Sequence, residues 1–243
     1  MPGWLAARAA EVAAGQRAVA EARDAATVVL LRPASSRSPS GEDGAGVEVL
    51  LLCRTRAMDF APGAHVFPGG SVDPDDGAAG VGWAADLAPV LGVPAERCRA
   101  IAGAAVRETA EECGVRLAHP LVPWGRWITP EVSDRRYDTW FFVAAMPDGQ
   151  VASIGPGGAG EPGGAAESDS AVWLRPAAAL DAARRGELTL LPPTAVTLAE
   201  LAGFATVEEV LAQRRLITPL MPVVRVADGA GWLTMPDGVE YPL

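Results

Sequence analysis

Residues 107–114 read Arg107-Glu108-Thr109-Ala110-Glu111-Glu112-Cys113-Gly114. Glu108, Glu111 and Glu112 stand at i, i+3 and i+4, so on an α-helix they share one face. Neighbouring carboxylates repel, and a hard, oxygen-seeking cation such as Mg²⁺ or Mn²⁺ removes that penalty. Gly114 suits the left-handed residue that ends a helix, which puts the cluster at a last turn, beside a loop. The competing reading is a solvated face, because glutamate is a good helix former and such runs often do nothing more.

The sequence upstream favours chemistry. Phe67-Pro68-Gly69-Gly70 closes a strand-like stretch and opens a loop rich in glycine and aspartate. Gly69 and Gly70 allow close backbone approach, and their N–H groups suit phosphate oxygens. Arg54 and Arg56 flank Thr55, so in an extended chain both project to one side at the end of a strand. Paired arginines there suit a nucleotide phosphate, against the plainer reading of a solvated strand end.

F-P-G-G followed by R-E-x-x-E-E-x-G-V resembles the signature of the Nudix hydrolases, G-x5-E-x7-R-E-U-x-E-E-x-G-U, with U aliphatic. This chain departs from it in three ways. Gly70 lies 37 positions before Arg107, so residues 71–93 read as an insertion of about 23 residues. The first glutamate of the pattern has no clear counterpart, and Asp75 or Asp76 is the nearest acid. Thr109 stands where an aliphatic residue is usual. The interrupted box, Arg54 to Phe60, Gly63 to Gly70, Trp127 to Pro130 and Arg136 to Phe142 are similar to the branch of peroxisomal coenzyme A diphosphatases.

The resemblance implies a mixed sheet between helices, an α/β/α sandwich. It also implies Glu108, Glu111 and Glu112 as ligands of Mg²⁺ or Mn²⁺, with Arg107 orienting one of these carboxylates. A further acid from a later loop would be Glu167, with Asp169 as the alternative; Glu112 is a third candidate for the base. The implied reaction is hydrolysis of a diphosphate linkage in a nucleotide derivative, coenzyme A or acyl-coenzyme A first. The rivals are ADP-ribose, a nucleotide sugar or a nucleoside triphosphate, and a non-catalytic nucleotide sensor. Sensors of that kind commonly lose the glutamates, which this chain keeps. Metal number and the choice between monomer and homodimer stay open.

At 243 residues the chain is long enough for one well-buried core with additions and short for two domains. A single domain over 1–243 is expected, with a core at 25–185, the insertion at 71–93 and a C-terminal helical extension and hairpin at 186–243. Net charge is −10 and the pI about 4.7, which disfavours nucleic acid as partner. A small anionic substrate remains admissible, since metal and local arginines reverse the potential inside a pocket. No apolar run approaches the roughly 20 residues that span a bilayer, and the N-terminal stretch lacks the apolar core of a signal peptide. Cys53, Cys98 and Cys113 are an odd number without metal spacing, which fits a reducing cytoplasm. His65 is read as a loop-satisfying residue rather than a catalytic one.

Strands are expected at 27–32, 47–54, 124–129, 139–145 and 171–174, with a hairpin from 221–226 and 232–235. Helices are expected near the N-terminus, at 83–91, from Pro94 to Cys113, and at 176–185, 192–204 and 206–215. In the long one, Ala102, Val106, Thr109 and Cys113 form an inward stripe opposite the glutamates.

Overall fold

The computed structural model describes residues 3–34, 46–55, 61–78, 81–118, 120–154, 168–227, 230–236 and 238–242. Helix α1 (Gly3–Ala13) leads into β1 (Ala22–Pro33) and β2 (Val47–Arg54), followed by the short β3 (Ala64–Val66) and β4 (Gly69–Ser71). The insertion holds a 3₁₀ turn at Asp76–Ala78 and a longer 3₁₀ helix at Gly82–Leu87, then α2 (Ala88–Leu91). Next come α3 (Ala95–Cys113), β5 (Val122–Ile128), β6 (Arg136–Ala145), β7 (Ser168–Leu174), α4 (Pro176–Arg184) and β8 (Thr189–Leu190). The remainder is α5 (Pro192–Leu201), α6 (Val207–Leu211), β9 (Pro219–Leu220), β10 (Val223–Ala227), β11 (Ala230–Thr234) and β12 (Glu240–Pro242).

Among the described residues, nine strands form one mixed sheet, with β8-β3-β2-β1-β6-β5-β9 as its path. β1 runs parallel to β6, from Ala22 beside Arg136 to Leu31 beside Ala145. Its antiparallel partners change along its length: β4 at Ala25–Thr27, then β2 at Leu31–Pro33. That change of partner is what brings the two glycines into the sheet. β7 pairs antiparallel with β2 and slips register between Cys53 and Arg54.

Successive residues of a strand face opposite sides, and the core divides accordingly. Ala26, Val28, Leu30, Leu50, Leu52, Trp140 and Phe142 meet Cys98, Ile101, Ala104 and Ala105 of α3. Val29, Leu31, Val49, Leu51, Phe141 and Val143 meet Ala179 of α4, Leu198 and Leu201 of α5, and Val207 and Val210 of α6. The expected α/β/α sandwich with a mixed sheet is what the chain adopts. The C-terminal segment is more than an extension, because α5 and α6 supply one outer layer and β9 adds an edge strand beside β5. The expected hairpin gains a third strand, giving the small sheet β10-β11-β12.

Pro94 caps α3 from outside with extended backbone (φ −57°, ψ 148°), one position earlier than its expected place inside the helix. Gly114 ends the helix in the left-handed conformation (φ 71°, ψ 7°), as its sequence position requires. The inward stripe is wider than the expected one and adds Cys98, Ile101, Ala104 and Ala105; Val106 is only half-buried. At the first turn, Asp24 and Asp138 are side by side on parallel strands and would repel. Arg97 bonds both oxygens of Asp24 (2.8 and 2.7 Å) and one of Asp138 (3.1 Å), while Arg126 grips Asp138 at 2.7 and 2.6 Å. Arg126 also lies 4.3 Å over the Trp140 ring. The network fastens α3 to β1, β5 and β6.

The insertion is packed rather than detached. Val81 and Ala84 are buried against Ala102 of α3, and Leu91 joins the main core, with Trp83 and Leu87 against it. No helix of the described residues is long and apolar enough to cross a membrane.

Candidate active site

The last turns of α3 lie against β4, residue by residue. The Gly69 N–H donates to Oε2 of Glu112 at 2.8 Å. A Cβ placed on Gly70 would stand 2.2 Å from Oε1 of Glu108, so the carboxylate occupies the space a side chain would fill. The Ser71 carbonyl accepts from Nη2 of Arg107 at 2.9 Å. The Gly69 N–H, which the sequence reading offers to a phosphate oxygen, holds a carboxylate in this structure. Gly69 must be glycine for a separate reason, since its Cβ would meet the Ala26 carbonyl oxygen at 2.3 Å and the Thr27 Cα at 2.7 Å.

Arg107 is the centre of the arrangement. Its Nε donates to Oδ1 of Asp76 at 2.8 Å and its Nη2 to Oδ2 of the same residue at 3.0 Å. Its Nη1 donates to Oε1 of Glu108 at 2.9 Å and to Oε2 of Glu111 at 3.1 Å. With the Ser71 bond, every N–H of the fork has an acceptor, a geometry lysine cannot reproduce. The Asp76 bond above all, then Glu108, raises the Arg107 pKa above its already high ordinary value. Of the acids Asp75 and Asp76, the structure selects Asp76, which is 4% exposed, while Asp75 is exposed to solvent. The signal was present in the sequence, because Asp76 stands at the G-x5-E position counted from Gly70.

Glu108 and Glu111 thus meet on Arg107, and Glu112 turns to Gly69. Among the described residues no three His, Cys, Asp or Glu side chains stand together as a ready ligand set. The expected single point of convergence is divided, because Arg107 supplies positive charge that draws two of the carboxylates. The donor type still fits a hard divalent cation: three carboxylates on adjacent turns, side-chain exposure 16% for Glu108 and 34% for Glu111. Thr109 resolves the third departure from the pattern. It is fully buried, and its hydroxyl back-bonds to the Ala105 carbonyl at 2.7 Å, so the core meets its methyl group. Cys113 is buried and its thiol donates to the Thr109 carbonyl at 3.0 Å.

Arg54 closes β2, half-buried, its carbonyl accepting from the Gly63 N–H at 3.1 Å. Arg56 and Glu167 lie outside the described residues. Asp169 is exposed on β7. His65 donates to the Thr189 backbone, and burial, the larger effect, lowers its pKa.

A model of the NUDT19 Nudix domain matches residues 22–100. Over that stretch the chain is similar in sequence to the Nudix hydrolases. The acyl-coenzyme A diphosphatase NUDT19 of Gallus gallus is 36% identical over 131 residues, covering 43% of this chain and 34% of that protein. Its Xenopus laevis counterpart is 23% identical over 282 residues, covering 80% of this chain and 71% of that protein. The chain thus spans about a third of the length of the first relative and about seven-tenths of the second. The crystal structure of a NUDIX hydrolase from Alicyclobacillus acidocaldarius superposes with a TM-score of 0.61 at 24% identity, over 82% of this chain and 99% of that one. That superposition shows the Nudix fold. The domain match ends at Ala100, before the glutamate run.

Proposed function

We propose that this chain is a Nudix hydrolase, a divalent-metal-dependent pyrophosphohydrolase whose substrate is coenzyme A or acyl-coenzyme A. The products would be 3′,5′-ADP and a phosphopantetheine. The observation that carries the reaction class is the saturated Arg107, which fixes Glu108 and Glu111 beside a glycine strand that fixes Glu112. The relatives' names carry the choice of substrate.

Splitting a phosphoric anhydride requires charge neutralisation on the phosphoryl oxygens and a water in line with the leaving group. Glu108, Glu111 and Glu112 would hold Mg²⁺ or Mn²⁺, which when bound supplies that neutralisation and an acidified water. Arg107 limits the rotamers of Glu108 and Glu111, and the Gly69 N–H does the same for Glu112. Such positioning is where much of the catalysis of phosphoryl transfer lies. Glu112, Glu167 or Asp169 takes the proton of the attacking water. Arg54 and Arg56 are the residues we assign to the substrate's phosphates. The free cysteines fit a reducing compartment, and we assign the cytoplasm.

The test is kcat/KM on coenzyme A, ADP-ribose and NADH in parallel, with Mg²⁺ or Mn²⁺ and with chelator, products identified by mass. Coenzyme A should be preferred, and chelator should abolish turnover. Glu112→Gln keeps size and removes charge, so kcat should fall by at least about 100-fold with the fold intact. Preference for ADP-ribose or NADH rejects the substrate, whereas full activity of Glu112→Gln rejects the mechanism.

A further inference from the structure

Gly103 lies one helical turn before Arg107 on the same face of α3, and it is buried. A Cβ there would stand 2.0 Å from the carbonyl oxygen of Asp76, 2.8 Å from its carbonyl carbon and 3.2 Å from its Cα. The backbone of Asp76 therefore rests directly on the helix, in space that only glycine leaves. The Asp76 carboxylate is fixed from the other side as well: Oδ2 accepts from the Asp73 N–H at 2.7 Å, and the Asp76 N–H donates to the Asp73 carbonyl at 3.1 Å. From this seat a short side chain reaches both Nε and Nη2 of Arg107.

We propose that Gly103 and Asp76 are a matched pair of positioning residues: the missing Cβ at Gly103 brings the backbone of Asp76 close enough for an aspartate to anchor Arg107, and through it Glu108 and Glu111. The inference rests on the hydrolase reading above for its catalytic consequence. It explains how the shorter acid serves where the family pattern has glutamate. Adding a methyl group at position 103 forces the Asp76 carbonyl back by roughly one C–C bond, about 1.5 Å. That is the reach a glutamate adds over an aspartate. Glycine with aspartate, and alanine with glutamate, are then two solutions of the same geometry. Either mixed combination leaves the acid too short or too long for the fork.

The experiment is a double-mutant cycle of Gly103→Ala and Asp76→Glu, read by kcat, KM, melting temperature and the Arg107 Nε–H resonance in ¹⁵N spectra. Gly103→Ala should lower kcat by roughly 100-fold, the scale of an ångström-sized misplacement, with KM little changed, and should shift or broaden the Nε–H signal. Asp76→Glu alone should shift that signal and lower kcat as well. The double variant should recover about 10-fold or more of the Gly103→Ala loss and return the signal toward its wild-type position. A double variant no better than its worse parent overturns the pairing, as does a Gly103→Ala protein with unchanged kcat and Nε–H signal. If Gly103→Ala does not fold, a double variant that folds supports the pairing and one that also fails overturns it. The resonance reads the anchor with no substrate present. A wild-type chain inactive on the whole substrate panel therefore rejects the hydrolase reading while the pairing is still decided by the spectra.

Discussion

Gly69 and Gly70 are adjacent and alike in sequence, yet they are glycines for different reasons. At Gly69 an added Cβ meets the backbone of β1, which cannot give way. At Gly70 it meets the far end of the Glu108 side chain, which can move. Gly69→Ala should therefore cost roughly 1–3 kcal/mol of stability, the range for overpacking. Gly70→Ala should leave the melting temperature near wild type and lower kcat by displacing the carboxylate. Thermal melts beside turnover numbers separate the two, and equal melting temperatures would contradict the distinction. Cys113 gives a pH signature. Burial, opposed in part by a backbone contact at Val115 and aided by the Glu112 charge, pushes its thiol from 9.0 up to about 11. Between those values the unfolded chain gives up a proton that the folded chain retains, so stability falls as pH rises through that window. Below about pH 9 the contribution is constant. Denaturant midpoints should be lower at about pH 11 than at about pH 8, and Cys113→Ala should lessen the drop.

Elements differ in how far the sequence reveals them. The apolar runs of β1, β2 and β6 and the capped run of α3 were legible because each makes its own pattern of burial. β4 was not, because Gly69–Ser71 carries no strand-forming side chains and becomes a strand only by pairing with β1. β8 and β9, two residues each, are similarly defined by their partners. In the candidate site, the glutamates were visible by spacing, Arg107 through the family resemblance, and Asp76 was one of two choices. Gly103 was invisible, since its reason lies 27 positions away in the Asp76 carbonyl. The Arg97–Asp24–Asp138–Arg126 network was hidden as well, because nothing in the sequence sets Asp24 beside Asp138 before the strand register is known. The insertion shows the same dependence on partners. In sequence it reads only as an insertion; packed on α3, it contributes to the stability of the helix that carries the glutamates. Leu91→Ala, at a site 4% exposed, should cost about 2–5 kcal/mol. A denaturant midpoint unchanged in that variant would mean that the insertion adds nothing to the core.

Across the whole molecule, α3 serves purposes that many enzymes divide among separate parts. One face holds the core on the sheet, another seats the insertion, and its last turns carry the carboxylates. Sequence patterning indicated a sandwich of this class but left the outer layer of α5 and α6 as an appendage, because their inward residues have no visible partners until the sheet is assembled. Trp140, 1% exposed beneath α3 and stacked under Arg126, sits where the helix meets the sheet. The consequence concerns how the molecule ages. With the glutamates and the core sharing one rod, α3 cannot open along its length without disturbing both. Heat inactivation should then be a single exponential whose rate equals that of global unfolding, reported by the change in tryptophan emission as the indole meets water. Activity decaying ahead of that emission change would mean that the last turns of α3 fray on a clock of their own.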